Sequence, residues 1–317
     1  HEWCAQDRME EGIVQIPLDV VLARPEMLTG AFSGMASRIA LFEFPYPGLF
    51  ETLAAANAAG WITVYDVLDD WEEFHRVGQA VWYDEPFERH LIRASDAVFA
   101  INEFLAERIG GLGGEDLRIV GNGLKPGLEA ISEPRPLERG EVTVGYFGYL
   151  AGAWFDWELI AEAARLRPSW RFYLIGYGGS PEGMTLPENV SLLGKKPQME
   201  LAAYAANWDV AVIPFKPDRL AAGADPIKTY EYLAMGLPVV ATGVYPPSGG
   251  EAFVARAEGV EQFLAELARA AASEGTEARR AFAATCTWGA RLESMLAALT
   301  RGEQRVAEKR ALFGEAP

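Results

Sequence analysis

Nine apolar, strand-length runs alternate along this chain with segments long enough to be helices. That alternation constrains the fold more than any other feature. A strand, a helix and a further strand in succession fold as a right-handed crossover, which sets the strands parallel in one sheet with helices on its faces. The runs form two groups. "RIALFEF" (38–44), "WITVYDVLDD" (61–70), "DAVFAIN" (96–102) and "LRIVGNG" (117–123) make the first. "VTVGYFG" (142–148), "RFYLIGY" (171–177), "VSLLG" (190–194), "DVAVIPF" (209–215) and "LPVVAT" (237–242) make the second. Between them "LKPGLEAISEPRPLERGE" (124–141) is rich in Pro, Gly and charge, has no periodicity, and reads as an interdomain linker. From 259 onward the pattern is mostly helical, with a long final segment starting near 290. The expectation is an α/β chain with two Rossmann-like domains, over 1–130 and 140–288, and a helical tail over 289–317. A complete doubly wound half has about six strands, so the first domain is short. Either "GIVQIPLDVVLARP" (12–25) holds degenerate early strands, or the start of the domain is missing from a chain that opens on His1.

Composition narrows the function classes. No apolar run reaches the ~18–20 residues of a membrane span, and the first residues are too acidic and polar for a signal peptide. Twenty-eight basic against 45 acidic residues give a formal charge of −17, which repels phosphate backbones and excludes general nucleic-acid binding. A local cluster can still hold a small anion. Cys4 and Cys286 match no metal spacing; they fit two reduced thiols of a cytosolic protein, with one disulfide as the alternative. His1, His75 and His90 do not form a metal-ligand set.

"DPIKTYEYLAMGLPVV" (225–240) is the most informative stretch. Asp225 suits an N-cap, Pro226 the first helical position and Gly236 the stop before Pro238. Lys228 then falls near the third helical position, where a cation opposes the helix dipole by ~0.3–1 kcal/mol. The helix follows the carboxyl end of a buried strand, where open parallel sheets bind ligands. Free amides at its start, with Thr229 beside Lys228, suit a phosphate. Glu231 lies one turn deeper on the same face and could accept hydrogen bonds from ribose hydroxyls. The plainer alternative is an ordinary i, i+3 surface pair worth ~0.2–0.5 kcal/mol. Gly148, in "GYFGYLAGAWFD" (145–156), would let a ligand approach the backbone, or would simply make a tight turn. Tyr177 closes a strand on the same edge, as does the Lys195–Lys196 doublet, which also reads as a solvated pair. In the first domain Asp66, Asp69 and Asp70 cluster at a strand's carboxyl end. Asp69 or Asp70 is a general base for an acceptor hydroxyl, or a cap for the helix containing "WEEF". His75 is a weaker base candidate.

Three segments, "VGYFGYLAGAWFDWELI", "VSLLGKKPQMELAAYAANWDVAVIPF" and "DPIKTYEYLAMGLPVVAT", resemble the nucleotide-sugar domain of GT-B glycosyltransferases, in particular the family 4 (group 1) enzymes of bacterial polysaccharide synthesis. "VYDVLDDWEEF", "RASDAVFAINEFLAERI" and "VGNGL" resemble the acceptor-side domain of the same enzymes. The resemblance implies two domains facing a cleft and a final helix that packs back on the first. It implies a hexosyltransferase-type reaction without a required metal or other cofactor, with a nucleoside diphosphate-sugar of UDP or GDP type as co-substrate. Lys228 would contact the diphosphate and Glu231 the ribose. Gly148 would lie by the phosphates, with Tyr177, Lys195 and Lys196 nearer the base. The acceptor would be a glycan or lipid-linked sugar, and the location cytoplasmic, peripheral at the inner membrane face. Two departures stand out. Relatives carry two glutamates with seven residues between them, but with Glu231 as the second the first position here is Gly223. The first domain also lacks the usual opening strand and glycine-rich loop. A non-catalytic nucleotide-binding or scaffold protein and a nucleotide-sugar 2-epimerase therefore stay open as alternatives.

Overall fold

The computed structural model describes residues 16–299 apart from 33, 36, 115, 116, 126, 128–132, 151 and 179–182. It holds two parallel sheets. The first runs β1 (Ile39–Phe42), β2 (Ile62–Val67), β3 (Ala97–Ala100), β4 (Leu117–Ile119), in that order. The second contains β5 (Thr143–Tyr149), β6 (Arg171–Tyr177), β7 (Val190–Gly194), β8 (Val210–Pro214), β9 (Val239–Thr242) and β10 (Val254–Arg256), ordered β10-β9-β8-β5-β6-β7. Five of these six strands coincide with the apolar runs. The three-residue β10 is too short to stand out from the flanking polar sequence. Strand order reverses between β5 and β8, so the ligand crevice of such a sheet opens at their carboxyl ends.

The helices of the first domain are α1 (Leu18–Ala23), α2 (Pro25–Ala31), α3 (Phe50–Ala58), α4 (Trp71–Arg76), α5 (Glu85–Ala94) and α6 (Glu103–Gly111). Those of the second are α7 (Trp157–Leu166), α8 (Leu201–Ala205), α9 (Arg219–Ala222), α10 (Ile227–Ala234), α11 (Gly259–Ala271) and α12 (Thr276–Thr285). The segment offered as degenerate strands is helical in its described part: Pro17 precedes α1 and Pro25 opens α2, both positions where proline's fixed φ favours a helix start. Residues 12–15 lie outside the described residues. Asp70, Asp84, Asn102, Asp156 and Asp218 each cap a helix by accepting from the backbone N–H three residues on.

Each sheet has its own core. Tyr65, Val67, Leu91 and Leu105 anchor the first, while β8, buried along its whole length, is central to the second. Residues 288–299 are helical, and Ala298 and Leu299 pack on Val64, Phe99 and Val120 of the first domain. The chain thus crosses back after completing the second domain; 300–317 lie outside the described residues. Cys286 is buried and unpaired, and Cys4 is likewise outside them. Among the described residues no helix is long and apolar enough to cross a membrane.

Candidate functional site

Helix α10 starts one residue later than the Asp-Pro pattern suggests. Pro226 is its N-cap, no side chain caps it, and Lys228 is its second residue rather than its third. Asp225 has another partner. Its carboxylate accepts from the Asn122 backbone N–H at 2.7 Å and from the Tyr230 hydroxyl at 2.8 Å, while Asn122 Nδ2 donates to the Asp225 carbonyl at 2.7 Å. The N-cap assignment is therefore corrected: Asp225 ties the end of the first domain to the second. Burial raises its carboxyl to about 6, opposed by the Asn122 N–H.

Lys228 is half-buried where the strand order reverses. Its Nζ stands 5.6 Å from the centre of the Tyr146 ring and 5.2 Å from that of Phe215. Gly148 has φ +150, and a Cβ there would lie 2.7 Å from Lys228 Cε. Only glycine leaves room for this lysine to lie along the end of β5. Burial lowers Lys228 to about 8, and the nearby charge of Glu231 works against that shift. Thr229 is buried, and its N–H donates to the Pro226 carbonyl at 2.9 Å. Glu231 is also buried; its carboxyl is raised by desolvation and accepts from Gln198 Nε2 at 3.3 Å.

Tyr177 is exposed at the end of β6, its ring 5.0 Å from Tyr149, the residue after Gly148. Lys195 Nζ lies over the Tyr177 ring at 5.4 Å, whereas Lys196 turns to Tyr204 at 5.6 Å. Tyr177 and Lys195 thus share one edge with Gly148, and Lys196 is drawn aside. Gln198, three residues beyond Lys195, links this loop to Glu231.

Across the cleft, Asp70 is buried and committed. It caps α4 through the Glu73 N–H at 3.2 Å and receives two hydrogen bonds from Arg219, at 2.6 and 3.2 Å. Arg108 Nε stands 3.2 Å from the same carboxylate, and Arg108 Nη2 is 2.5 Å from the buried Glu88. Arg219 also pairs with Glu72. A carboxylate held by two guanidiniums and a cap is a structural anchor, so Asp70 is withdrawn as a proton acceptor. Desolvation and the neighbouring Asp70 charge push the Asp69 carboxyl up to about 7. Asp66 is likewise pushed up to about 7, by desolvation and by Glu43. His75 bonds the Ala80 carbonyl through Nδ1 at 2.9 Å, within its own loop.

Gly223 follows α9, and a Cβ there would lie 3.1 Å from Asp70 Cβ. Where relatives would place an acid, the two domains meet instead. Asn102 Nδ2 donates to the carbonyls of Ala222 and Ala224, both at 3.2 Å. Arg219, Arg108, Asn102 and Gln198 are thus site-supporting residues that reasoning from the sequence missed. For Arg219 a signal existed: an arginine in the loop after a buried strand, at the ligand edge of the sheet. The others announce themselves by no local pattern.

Residues 141–273 match the family model described as glycosyl transferases group 1. A curated relative, the "Putative teichuronic acid biosynthesis glycosyltransferase TuaH" of Bacillus subtilis (strain 168), is 25% identical over 170 residues, covering 50% of this chain and 43% of that protein. Among solved structures, a mutant of S. aureus TarM in complex with Fondaparinux, alpha-GlcNAc-glycerol and UDP superposes with a TM-score of 0.60 at 15% identity, over 87% of this chain and 58% of that one. The apo lipopolysaccharide outer core galactosyltransferase WaaB superposes with a TM-score of 0.56 at 13% identity, over 90% and 81%. The chain spans less than half the length of the curated relative it matches. The fold is GT-B, with two parallel-sheet domains facing a cleft.

Proposed function

We propose that this chain, GT-B in fold and similar over residues 141–273 to the group 1 glycosyl transferases, moves a sugar from a nucleoside diphosphate-sugar to a glycan or lipid-linked acceptor. The step belongs to cell-envelope polysaccharide synthesis in the cytoplasm. The observation that carries the reading is Lys228: a half-buried ammonium at a helix start, laid along Gly148 at the strand reversal, facing aromatic rings. Such a cation is stabilised by an anion placed there. A UDP or GDP diphosphate satisfies it, Glu231 accepts from the ribose hydroxyls, and Tyr177 with Lys195 borders the base. The UDP held by TarM supports this assignment by analogy.

In the reaction the acceptor hydroxyl oxygen bonds the anomeric carbon while the bond from that carbon to the diphosphate oxygen breaks. The electron pair leaves on the diphosphate. Lys228 and the first amides of α10 stabilise that charge without a metal. The hydroxyl proton passes to Asp69, whose carboxyl near 7 suits exchange at neutral pH.

A thermal-shift panel of UDP, GDP and their sugars on wild type and Lys228→Ala tests the donor site. Stabilisation by one nucleoside diphosphate, lost in the variant, is expected; no stabilisation of the wild type by any of them sinks the assignment. Gly223 and the committed Asp70 favour one second reading, nucleotide binding without turnover. It predicts the same thermal shift but no nucleotide released with any acceptor.

A further inference from the structure

The carboxyl edge of the first sheet carries more aromatic surface than a core explains. Phe44 and Tyr46 follow β1, Trp71 follows β2, and Trp82 comes from the loop before α5. Phe44 is 5.0 Å from Trp71 and 6.1 Å from Trp82, Trp71 is 5.5 Å from Trp82, and Tyr46 is 6.2 Å from Trp82, centre to centre. Phe44 is 45% exposed, and Tyr46 and Trp82 are half-buried, so the cluster opens to solvent. The row crosses the seam: Trp71 packs on Phe74 at 5.6 Å, and Phe74 on Trp154 of the second domain at 5.5 Å. Trp154 is 6.2 Å from Phe215, the ring under Lys228. A chain of ring contacts, part of it buried at Trp71 and Phe215, therefore leads from the outer edge of the first domain to the lysine.

Polar groups without partners accompany the rings. The Trp71 indole N–H is buried and has no acceptor among the described residues. Glu43 and Asp66 directly follow the paired Phe42 and Tyr65 on neighbouring parallel strands, and Asp69 lies two residues before Trp71. Flat apolar faces beside carboxylates and an orphan N–H are the two halves of carbohydrate recognition: rings take the C–H face of a pyranose, and acids and donors take its hydroxyls. We propose that this edge is a saccharide subsite that seats a neutral sugar of the acceptor on Trp82 and Phe44, with its hydroxyls bonded to Glu43, Asp66 or Asp69. Charge selects among acceptors. A uronate or phosphate would face three carboxylates on a chain of net charge −17. An isoprenoid chain would use the rings and leave the acids and the Trp71 N–H unsatisfied.

The proposal rests on the glycosyltransferase reading, yet its test is separate from the donor site. Saturation-transfer NMR is run on the full chain with methyl glucoside, methyl galactoside, methyl glucuronide and farnesyl phosphate. The neutral glycosides are expected to receive saturation and the glucuronide not. In Trp82→Ala and Phe44→Ala the signal drops at least about fivefold while UDP binding is unchanged. In Lys228→Ala UDP binding is lost and the sugar signal stays. The proposal is overturned if no neutral glycoside binds, if the glucuronide or farnesyl phosphate binds better, or if neither aromatic variant weakens the signal. Sugar binding without UDP binding would leave this subsite standing and remove the donor reading.

Discussion

The two banks of the cleft are built to opposite electrostatic plans. On the second domain a lysine and helix-start amides surround a glycine, and burial makes the cation easier to deprotonate, to about 8. On the first domain carboxyls stand among aromatic rings, and burial makes two of them harder to ionise, to about 7. Desolvation penalises whichever charge a bank carries. Each bank therefore gains from a ligand of complementary kind: an anion on one, hydroxyl donors on the other. In the proposed reaction, departure of the diphosphate and attack by the acceptor fall on separate domains. The banks are not independent, because Arg219 of the second answers Asp70 of the first.

The largest effect is expected from cutting that link. Asp70→Ala removes a cap and leaves Arg219 and the nearly buried Arg108 short of a counter-charge, although Glu72 and Glu88 remain. Breaking a buried pair from one side costs about 3–5 kcal/mol, and with the residual partners about 3 kcal/mol is expected in urea unfolding. A loss below about 1 kcal/mol would mean that the banks are held together elsewhere. Next comes Lys228→Ala, which should weaken UDP about 100-fold, or roughly 2.7 kcal/mol, as read by calorimetry. Its folding stability should hold or rise, since a desolvated cation is removed. A variant that unfolds instead would make Lys228 a packing residue and dissolve the contrast between the banks.

How much of this is legible in the sequence follows from the distance between partners. The strands, Gly148, and the Lys228–Glu231 spacing are visible because their causes lie within one or two turns of chain. Asp225 misleads for the same reason: Asp-Pro before a helix is a sound cap pattern, but an amide 103 residues away competes for the carboxylate and wins. Asp70 and Arg219 are 149 residues apart, and Gln198 and Glu231 are 33 apart across a strand and two helices. No window of periodicity joins such pairs. Gly223 looks like the loss of an acid until the fold places Asp70 against it. The aromatic row is equally dispersed: Phe44, Trp82 and Trp154 share no motif, and three different loops bring them together.

The smallest predicted effects, about 1 kcal/mol each, both decline with rising pH, but in different windows on the two banks. A diphosphate raises the pKa of Lys228, so binding is linked to proton uptake once pH exceeds the free value near 8. UDP affinity should be level up to about pH 8 and fall toward tenfold per unit above it, about 1.4 kcal/mol. Lys228→Ala should lack this slope. Asp69 acts in a lower window. Its folded pKa is raised, so the favourable protonated state is fully present below the unfolded value near 4 and is lost as pH rises through about 7. Wild type should therefore lose stability relative to Asp69→Asn across that window, by about 1 kcal/mol once partial hydration is allowed for, and hold level above it. Paired urea titrations at pH 4.5, 6 and 8 measure the difference. A flat difference would show that Asp69 is hydrated like an ordinary surface acid, and the base on the first bank would have to be sought at Asp66.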